Sequence, residues 1–136
     1  MGYVFEEITL KNSADVSNAA SGIINEREIR QKTVEVLVDT GCFTMVIDEE
    51  LRRELGLRIV GERVVNLADK TRVICKEAES VDIHWKDRSA SMRPGVLPET
   101  DKILLGALPL EDMDLIVDPA REKLTGRHGD KALYFI

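Results

Sequence analysis

The stretch that decides the fold is VEVLVDTGCFTMVID, which occupies Val34–Asp48. Val34, Val36 and Val38 alternate along its first half, and this period of two is typical of a β-strand. Apolar residues also lie on the opposite face near the end of the strand, which predicts an interior strand covered on both sides. The strand ends on Asp39, followed by Thr-Gly, and this carboxylate either closes a turn or carries chemistry.

The composition limits the class of protein. The chain has 136 residues, of which 43% are hydrophobic and 4% aromatic, so we expect one packed domain with a core of Val, Ile and Leu. Its net charge of −6 argues against nucleic acid or an anionic membrane as the main partner. The most apolar run, Ile103–Leu110, is too short to span a membrane, and Glu6 and Glu7 stand where a secretory signal needs basic residues. We therefore expect a soluble cytoplasmic protein that binds neither nucleic acid nor membrane.

Four residues of types that commonly bind transition metals are present: Cys42, Cys75, His84 and His128. No two of them have the C-x-x-C or H-x₃-H spacing of a zinc site. In a cytosolic setting both thiols are expected to be reduced. We therefore expect no metal site.

The remainder of the chain alternates in the manner of short strands separated by turns. Asn12–Gly22 is rich in turn-forming residues and predicts a loop, whereas residues 132–136 predict a terminal strand. One short helix is predicted to begin after Asp48, a typical N-cap, and to end before Gly56, and a second is predicted within Gly106–Met113. Many short strands with one or two short helices indicate a mainly β protein, folded as a closed or nearly closed β-barrel.

The turn Asp39-Thr40-Gly41 has properties that suit a reactive carboxylate. Gly41 has no side chain, so another backbone can approach closely, and the Thr40 hydroxyl can bond to a neighbouring backbone group. Two carboxyl groups brought together can share one proton, which leaves one acid and one base beside the same water. Because the chain has a single Asp-Thr-Gly, such a pair needs two chains related by a two-fold axis between their Asp39 side chains.

Three segments resemble, in the same order, the retroviral-type (retropepsin-like) aspartic proteases and their small relatives in bacteria and archaea. The apolar strand, Asp-Thr-Gly and apolar continuation in Val34–Ile47 resemble the segment that carries the family's catalytic aspartate. LADKT, at residues 67–71, stands where relatives carry the tip of the flap that closes over substrate. KILLGALPLEDMDLIVD, at Lys102–Asp118, resembles the family's second hallmark, an apolar pair and Gly106 before a short helix and a final strand.

The resemblance implies a fold, an assembly and a reaction. It covers about Tyr3 to Leu124, so we expect one domain over residues 1–136, with its core in about 3–124 and a C-terminal extension in 125–136. It implies a retropepsin-like closed β-barrel and a homodimeric aspartic endopeptidase that hydrolyses peptide or protein substrates without cofactor or metal. The site residues that it implies are Asp39 as the catalytic group of each chain, Thr40 and Gly41 in support of the pair, with Thr40 bonding across the two-fold axis, and Ala68, Asp69 and Lys70 at the substrate-binding flap tip.

Three departures from the family keep an alternative open. Cys42 stands where the family usually has Ala or Ser, Lys70 stands where relatives more often have glycine, and the tail continues past the family's last strand. The alternative is a non-catalytic dimerisation or peptide-binding module on the same fold, in which Asp39 is retained for structure. Separately, Asp69 and Lys70 either form a plain hairpin turn or contact substrate. A third reading is a protease domain that acts only within a larger assembly.

Overall fold

Most of the chain folds into short strands, as the alternation predicts. The structure is a computed structural model, and it describes residues 3–67, 69–98 and 100–136. The strands are β1 Val4–Asn12, β2 Gln31–Val38, β3 Met45–Ile47, β4 Ile59–Asn66, β5 Arg72–Ala78, β6 Val81–Trp85, β7 Arg88–Met92, β8 Gly95–Val96, β9 Leu104–Leu105, β10 Leu115–Asp118 and β11 Lys123–Gly126.

The α-helices in the described ranges number three rather than the expected one or two: α1 Ser13–Ala20, α2 Glu49–Glu54 and α3 Ala107–Asp112. Helices α2 and α3 confirm the two predicted segments, and the Asp48 side chain caps α2 by accepting the Leu51 N–H at 2.7 Å. The prediction of a loop over Asn12–Gly22 is wrong. Asn12 is the N-cap of α1 and accepts the Asp15 N–H, so residues that favour turns here begin a helix.

The order of strands places β9 between β2 and β3. Nine strands form one sheet in the order β4-β5-β8-β3-β9-β2-β1-β6-β7, and β10 pairs with β11 in a separate hairpin. Strand β9 runs parallel to β2 and antiparallel to β3, so the segment that follows β9 meets the loop between β2 and β3. The mainly β class is confirmed, but the closed barrel is not: the sheet curls into a half-barrel whose end strands, β4 and β7, do not pair within the described ranges.

The core lies inside the curled sheet and beneath the helices. It is built from aliphatic residues of nearly every element, with Trp85 as its one large ring. Strand β6 shows the predicted alternation, because Val81, Ile83 and Trp85 are buried while the residues between them are partly exposed. Strand β2 is flanked on both sides by β9 and β1, which confirms the interior strand expected to lead to Asp39.

The C-terminal tail, residues 127–136, lacks the expected final strand. Residues 132–136 form no strand, and Leu133 instead donates its N–H to the carboxylate of Asp114 at 3.0 Å. The tail is therefore anchored to the α3–β10 corner, which is formed by Met113 and Asp114 between these two elements, rather than paired with the sheet. None of the helices in the described ranges is long and apolar enough to span a membrane.

Candidate active site

Asp39 stands at the end of β2, where the neighbouring strand fixes its backbone. The Asp39 N–H donates to the Leu105 carbonyl at 2.9 Å, and the Leu37 N–H donates to the Ile103 carbonyl at 2.8 Å. These bonds continue the parallel pairing of β2 with β9 up to the aspartate itself. The position of the carboxylate is therefore set by an interior strand rather than by a free loop.

The turn after β2 uses one oxygen of Asp39 and leaves the other available. Oδ1 accepts the Gly41 N–H at 2.9 Å, and the Asp39 carbonyl accepts the Cys42 N–H at 3.0 Å. The turn-forming role is thus present. Among the described residues, however, Oδ2 accepts no hydrogen bond, and the side chain is half-buried beside the exposed Thr40 and Gly41. A carboxylate in this arrangement can bind a water or a second carboxyl group.

Gly41 keeps the carboxylate close to the backbone. A Cβ at this position would lie 3.2 Å from Asp39 Oδ1, which is tighter than nearly all real contacts of a Cβ. Any side chain would therefore push on the oxygen that the Gly41 N–H holds. The absence of a side chain therefore leaves Oδ1 in place to accept the Gly41 N–H.

Gly106 lets the start of α3 pack closely against the Asp39 loop (residues 39–44). The sequence did not reveal this contact. A Cβ on Gly106 would lie 2.1 Å from the Thr44 carbonyl oxygen and 2.3 Å from that of Cys42. The absence of a side chain lets the start of α3 donate into the loop, from Ala107 N to the Cys42 carbonyl and from Leu108 N to the Phe43 carbonyl, both at 2.8 Å. Only a glycine permits this contact, because the obstacle is backbone and cannot rotate away.

Cys42 is a packed residue of the same loop. Its Sγ lies 3.3 Å from the Thr44 carbonyl oxygen, and burial is the main cause that raises the pKa of this thiol above its ordinary value. A thiol held in its neutral form is a poor nucleophile. Cys42 therefore contributes packing to the loop that carries Asp39.

The expected flap is a β-hairpin formed by β4 and β5. Of its three predicted tip residues, Ala68 lies outside the described residues. Asp69 accepts the Thr71 N–H at 2.9 Å, and its pKa is lowered first by hydrogen bonding to the Thr71 side chain and then by this backbone bond. Lys70 adopts a left-handed backbone with φ of 68°. The tip is thus a preformed turn in which a non-glycine residue occupies a conformation that favours glycine.

The hairpin presents two different faces. Val65, Val73 and Cys75 point toward the body of the protein and are partly or fully covered. On the opposite face, the cross-strand partners Val64 and Ile74 are 69% and 66% exposed. Within residues 3–67, 69–98 and 100–136, the sheet joins β5 to β2 through β8, β3 and β9, so the flap hairpin and the Asp39 turn are connected without direct pairing.

Apolar side chains surround the Asp39 end of the sheet, and sequence reasoning missed them. Phe43 is 70% exposed in the Asp39 loop, and Leu108, hydrogen-bonded to it through the backbone, is also exposed. Tyr3 and Phe5 are exposed at the start of β1, which pairs with the end of β2. The period-two pattern could not show this exposure, because it depends on what the single chain leaves uncovered.

The four Cys and His residues considered as metal ligands lie in different segments of the chain. Among the described residues, no cluster of three or more His, Cys, Asp or Glu has the geometry of a metal site. His84 lies in β6, where burial lowers its pKa, and His128 lies in the tail beside Asp114.

The chain is similar to known proteins both in sequence and in structure. The family model described as aspartyl protease matches residues 22–108, well over half of the chain, in a span that includes Asp39 and Gly106. A solved structure of a retropepsin-like aspartic protease from Rickettsia conorii matches 87% of this chain and 89% of its own, at 18% identity and a TM-score of 0.43. No curated protein matches. On the strength of the family model, the chain belongs to the aspartyl protease family.

Proposed function

We propose that the protein is an aspartic endopeptidase whose active site is completed by two copies of the chain, each supplying one Asp39. The observation that carries the proposal is the state of this carboxylate. One oxygen is fixed by the Gly41 N–H at 2.9 Å, while the other accepts no hydrogen bond among the described residues. A second carboxyl group facing that oxygen would create the pair that peptide hydrolysis needs.

The exposed apolar rim supports the two-chain arrangement. Tyr3, Phe5, Phe43 and Leu108 lie around the end of the sheet where Asp39 stands, and covering them removes apolar surface from water. A two-fold axis through this end would bring the two Asp39 turns together and bury the rim in the same step. Thr40 is exposed there and is available to bond across the axis.

The pair would act through one shared proton. The ionised Asp39 takes a proton from a water molecule as the water attacks the peptide carbonyl, and the protonated Asp39 of the other copy donates a hydrogen bond to the carbonyl oxygen. The pair, which now holds two protons, gives one to the leaving nitrogen, and this breaks the C–N bond and restores the singly protonated pair. The substrate would lie extended beneath the hairpin of β4 and β5, with Asp69 and Lys70 near it at the tip.

The flap tip also favours a second candidate, a peptide-binding module without catalysis. Lys70, with φ of 68°, gives the tip a charged side chain in a fixed turn, where a closing flap would gain from glycine. In that case Asp39 serves only its turn. The two candidates differ in one property, which is whether bound peptide is cut.

The test is digestion of a diverse peptide pool across pH 3–8, with fragments identified by mass spectrometry. We expect cleavage with a bell-shaped pH profile that is strongest on the acidic side, because only the singly protonated pair has both acid and base. Asp39→Asn should abolish it, whereas Asp87→Asn, in the exposed turn between β6 and β7, should not. Binding without fragments would establish the module instead, and cleavage that survives Asp39→Asn would contradict the catalytic role of Asp39.

A further inference from the structure

Asp114 is a buried carboxylate that the proposed reaction does not use. It follows α3 and is 6% exposed, with a left-handed backbone at φ of 54°. Two groups of the C-terminal tail donate to it. His128 Nδ1 lies 2.9 Å from Oδ1 and 3.0 Å from Oδ2, and the Leu133 N–H donates to Oδ2 at 3.0 Å. One carboxylate therefore ties down two points of the tail.

Arg88 of β7 holds the tail from the other side. Its side chain is 3% exposed, and Nη1 donates to the carbonyls of Met113 at 2.9 Å and Asp114 at 2.7 Å. Its Nη2 donates to the Gly129 carbonyl at 2.5 Å, and Nη1 lies 3.9 Å from Asp114 Oδ2. Arg88 thus joins the α3–β10 corner to the tail and faces the Asp114 carboxylate.

The tail gains little from apolar burial. Tyr134 donates its hydroxyl to the Asp112 carbonyl, and the His128 ring meets the edge of Phe135 at a centroid distance of 5.9 Å. Yet Leu133, Tyr134 and Phe135 are 47%, 56% and 82% exposed. Because the apolar side chains stay in water, the attachment depends mainly on the polar contacts to Asp114 and Arg88.

We propose that His128 and Asp114 form a pH-operated clasp, which holds the C-terminal tail closed when His128 is protonated and loosens when His128 is neutral. A carboxylate only accepts hydrogen bonds, so His128 Nδ1 must carry the proton in this contact. The protonated ring makes a charge-assisted bond, whereas the neutral ring must adopt the tautomer with its proton on Nδ1 and offers a weaker bond.

The charges around the clasp fix the sign of the effect. The groups that face it are Asp114, at the end of α3, and Arg88 of β7. Burial opposes ionisation of Asp114, but hydrogen bonds from Leu133 and His128 outweigh it, so the pKa of Asp114 lies below its ordinary value of 3.8. Asp114 is therefore charged throughout the range of pH 5–8 in which histidines ordinarily change charge. The clasp tightens toward pH 5 and loosens toward pH 8. The cavity beside Arg88 is lined by the charged residues Lys86, Asp87, Lys123 and Asp130. Arg127, which precedes His128, donates its N–H to the Asp114 carbonyl at 2.8 Å.

Hydrogen exchange of the Leu133 amide, measured by NMR on the full chain, tests this directly. Its protection factor, corrected for intrinsic exchange, should be about fivefold higher at pH 5 than at pH 8. The reason is that the bond from protonated His128 to Asp114 is roughly twice as strong as the bond from the neutral ring. The Leu51 amide is a matched internal control, because it also donates to a carboxylate, that of Asp48 at 2.7 Å, with no histidine in that contact. Its protection should not follow the same curve.

His128→Asn separates the proton from the contact. The asparagine amide nitrogen takes the position of Nδ1 and can donate to Asp114 without titrating. We expect protection of the Leu133 amide to become independent of pH in this variant. Protection that is flat with pH in the wild-type chain, or that keeps its pH dependence in His128→Asn, would overturn the proposal. Should the variant fail to fold, the wild-type titrations of the His128 ring and the Leu133 amide must still share one midpoint, and separate midpoints overturn it equally.

Discussion

Gly106→Ala should destabilise the protein far more than an ordinary glycine substitution. The added methyl group would lie 2.1 Å and 2.3 Å from two carbonyl oxygens of the Asp39 loop, where real Cβ contacts do not fall below 3.0 Å. The φ of Gly106 is −95°, so the backbone conformation itself suits alanine. The whole effect must therefore come from the forced separation of the loop and the start of α3.

The magnitude follows from what the separation breaks. Overpacking against a rigid neighbour costs about 1–3 kcal/mol. The bonds from Ala107 N and Leu108 N to the loop carbonyls, both 2.8 Å long, are lost or stretched as well, at about 1 kcal/mol each. We expect a loss of about 3–5 kcal/mol, a large share of the ~5–15 kcal/mol that stabilises most domains.

Urea denaturation followed by circular dichroism measures this loss. With a slope typical of a small domain, the midpoint should fall by about 2 M. Gly61→Ala is the matched control, because its Cβ would meet only the Glu77 Oε1 at 3.9 Å. That substitution should be neutral or should stabilise by about 0.4–1 kcal/mol. A cost for Gly106→Ala no larger than that for Gly61→Ala would refute the bracing role of Gly106.

Substitutions at three further positions each test one local feature. Lys70→Gly should raise the thermal midpoint, because it removes about 1–2 kcal/mol of left-handed strain at φ of 68°; a lower midpoint than wild type would count against the strained tip. Asp48→Ala should lower the free energy of unfolding, measured with urea, by about 1 kcal/mol, because it removes the cap of α2. Asp48→Asn should keep most of that stability, because asparagine is also a good cap. The pKa of Asp15 is lowered chiefly by its hydrogen bond from Arg30, so the unfolded chain binds the proton first and this contribution to stability is lost as the pH falls below about 4. Asp15→Asn should therefore flatten the free energy of unfolding against pH in that range, and an unchanged slope would show that another group controls it.

What the sequence could predict is local. Alternation in β2 located the strand that ends on Asp39, and Asp48 and Gly56 marked the ends of α2, because these signals lie within a few residues of the feature they specify. The α1 helix escaped prediction for a physical reason. Asn12, whose side-chain oxygen caps it, is held by its amide group at the Leu55 carbonyl, 43 residues away, and no local pattern reports that contact.

The local part of the candidate site could be predicted from the sequence, and its long-range contacts could not. The Asp39 turn was predictable from three adjacent residues, together with the apolar strands around them. The brace at Gly106 was not, because its contact with the Cys42 and Thr44 carbonyls joins distant segments. The tail anchor was missed for the same reason, because the bonds of the buried Arg88 to the Asp114 and Gly129 carbonyls join segments that are distant in the chain.

The central claim is that one Asp39 from each of two chains makes one active site, and subunit mixing tests it most directly. Asp39→Asn is nearly isosteric, so the variant should fold and pair, but the amide cannot act as acid or base. When equal amounts of wild type and variant exchange subunits, about half of the dimers are mixed and about a quarter are fully wild type. Peptidase activity per wild-type chain should then fall to roughly half of its unmixed value, since mixed dimers hold half a pair. Unchanged activity after exchange has been demonstrated would contradict the shared site.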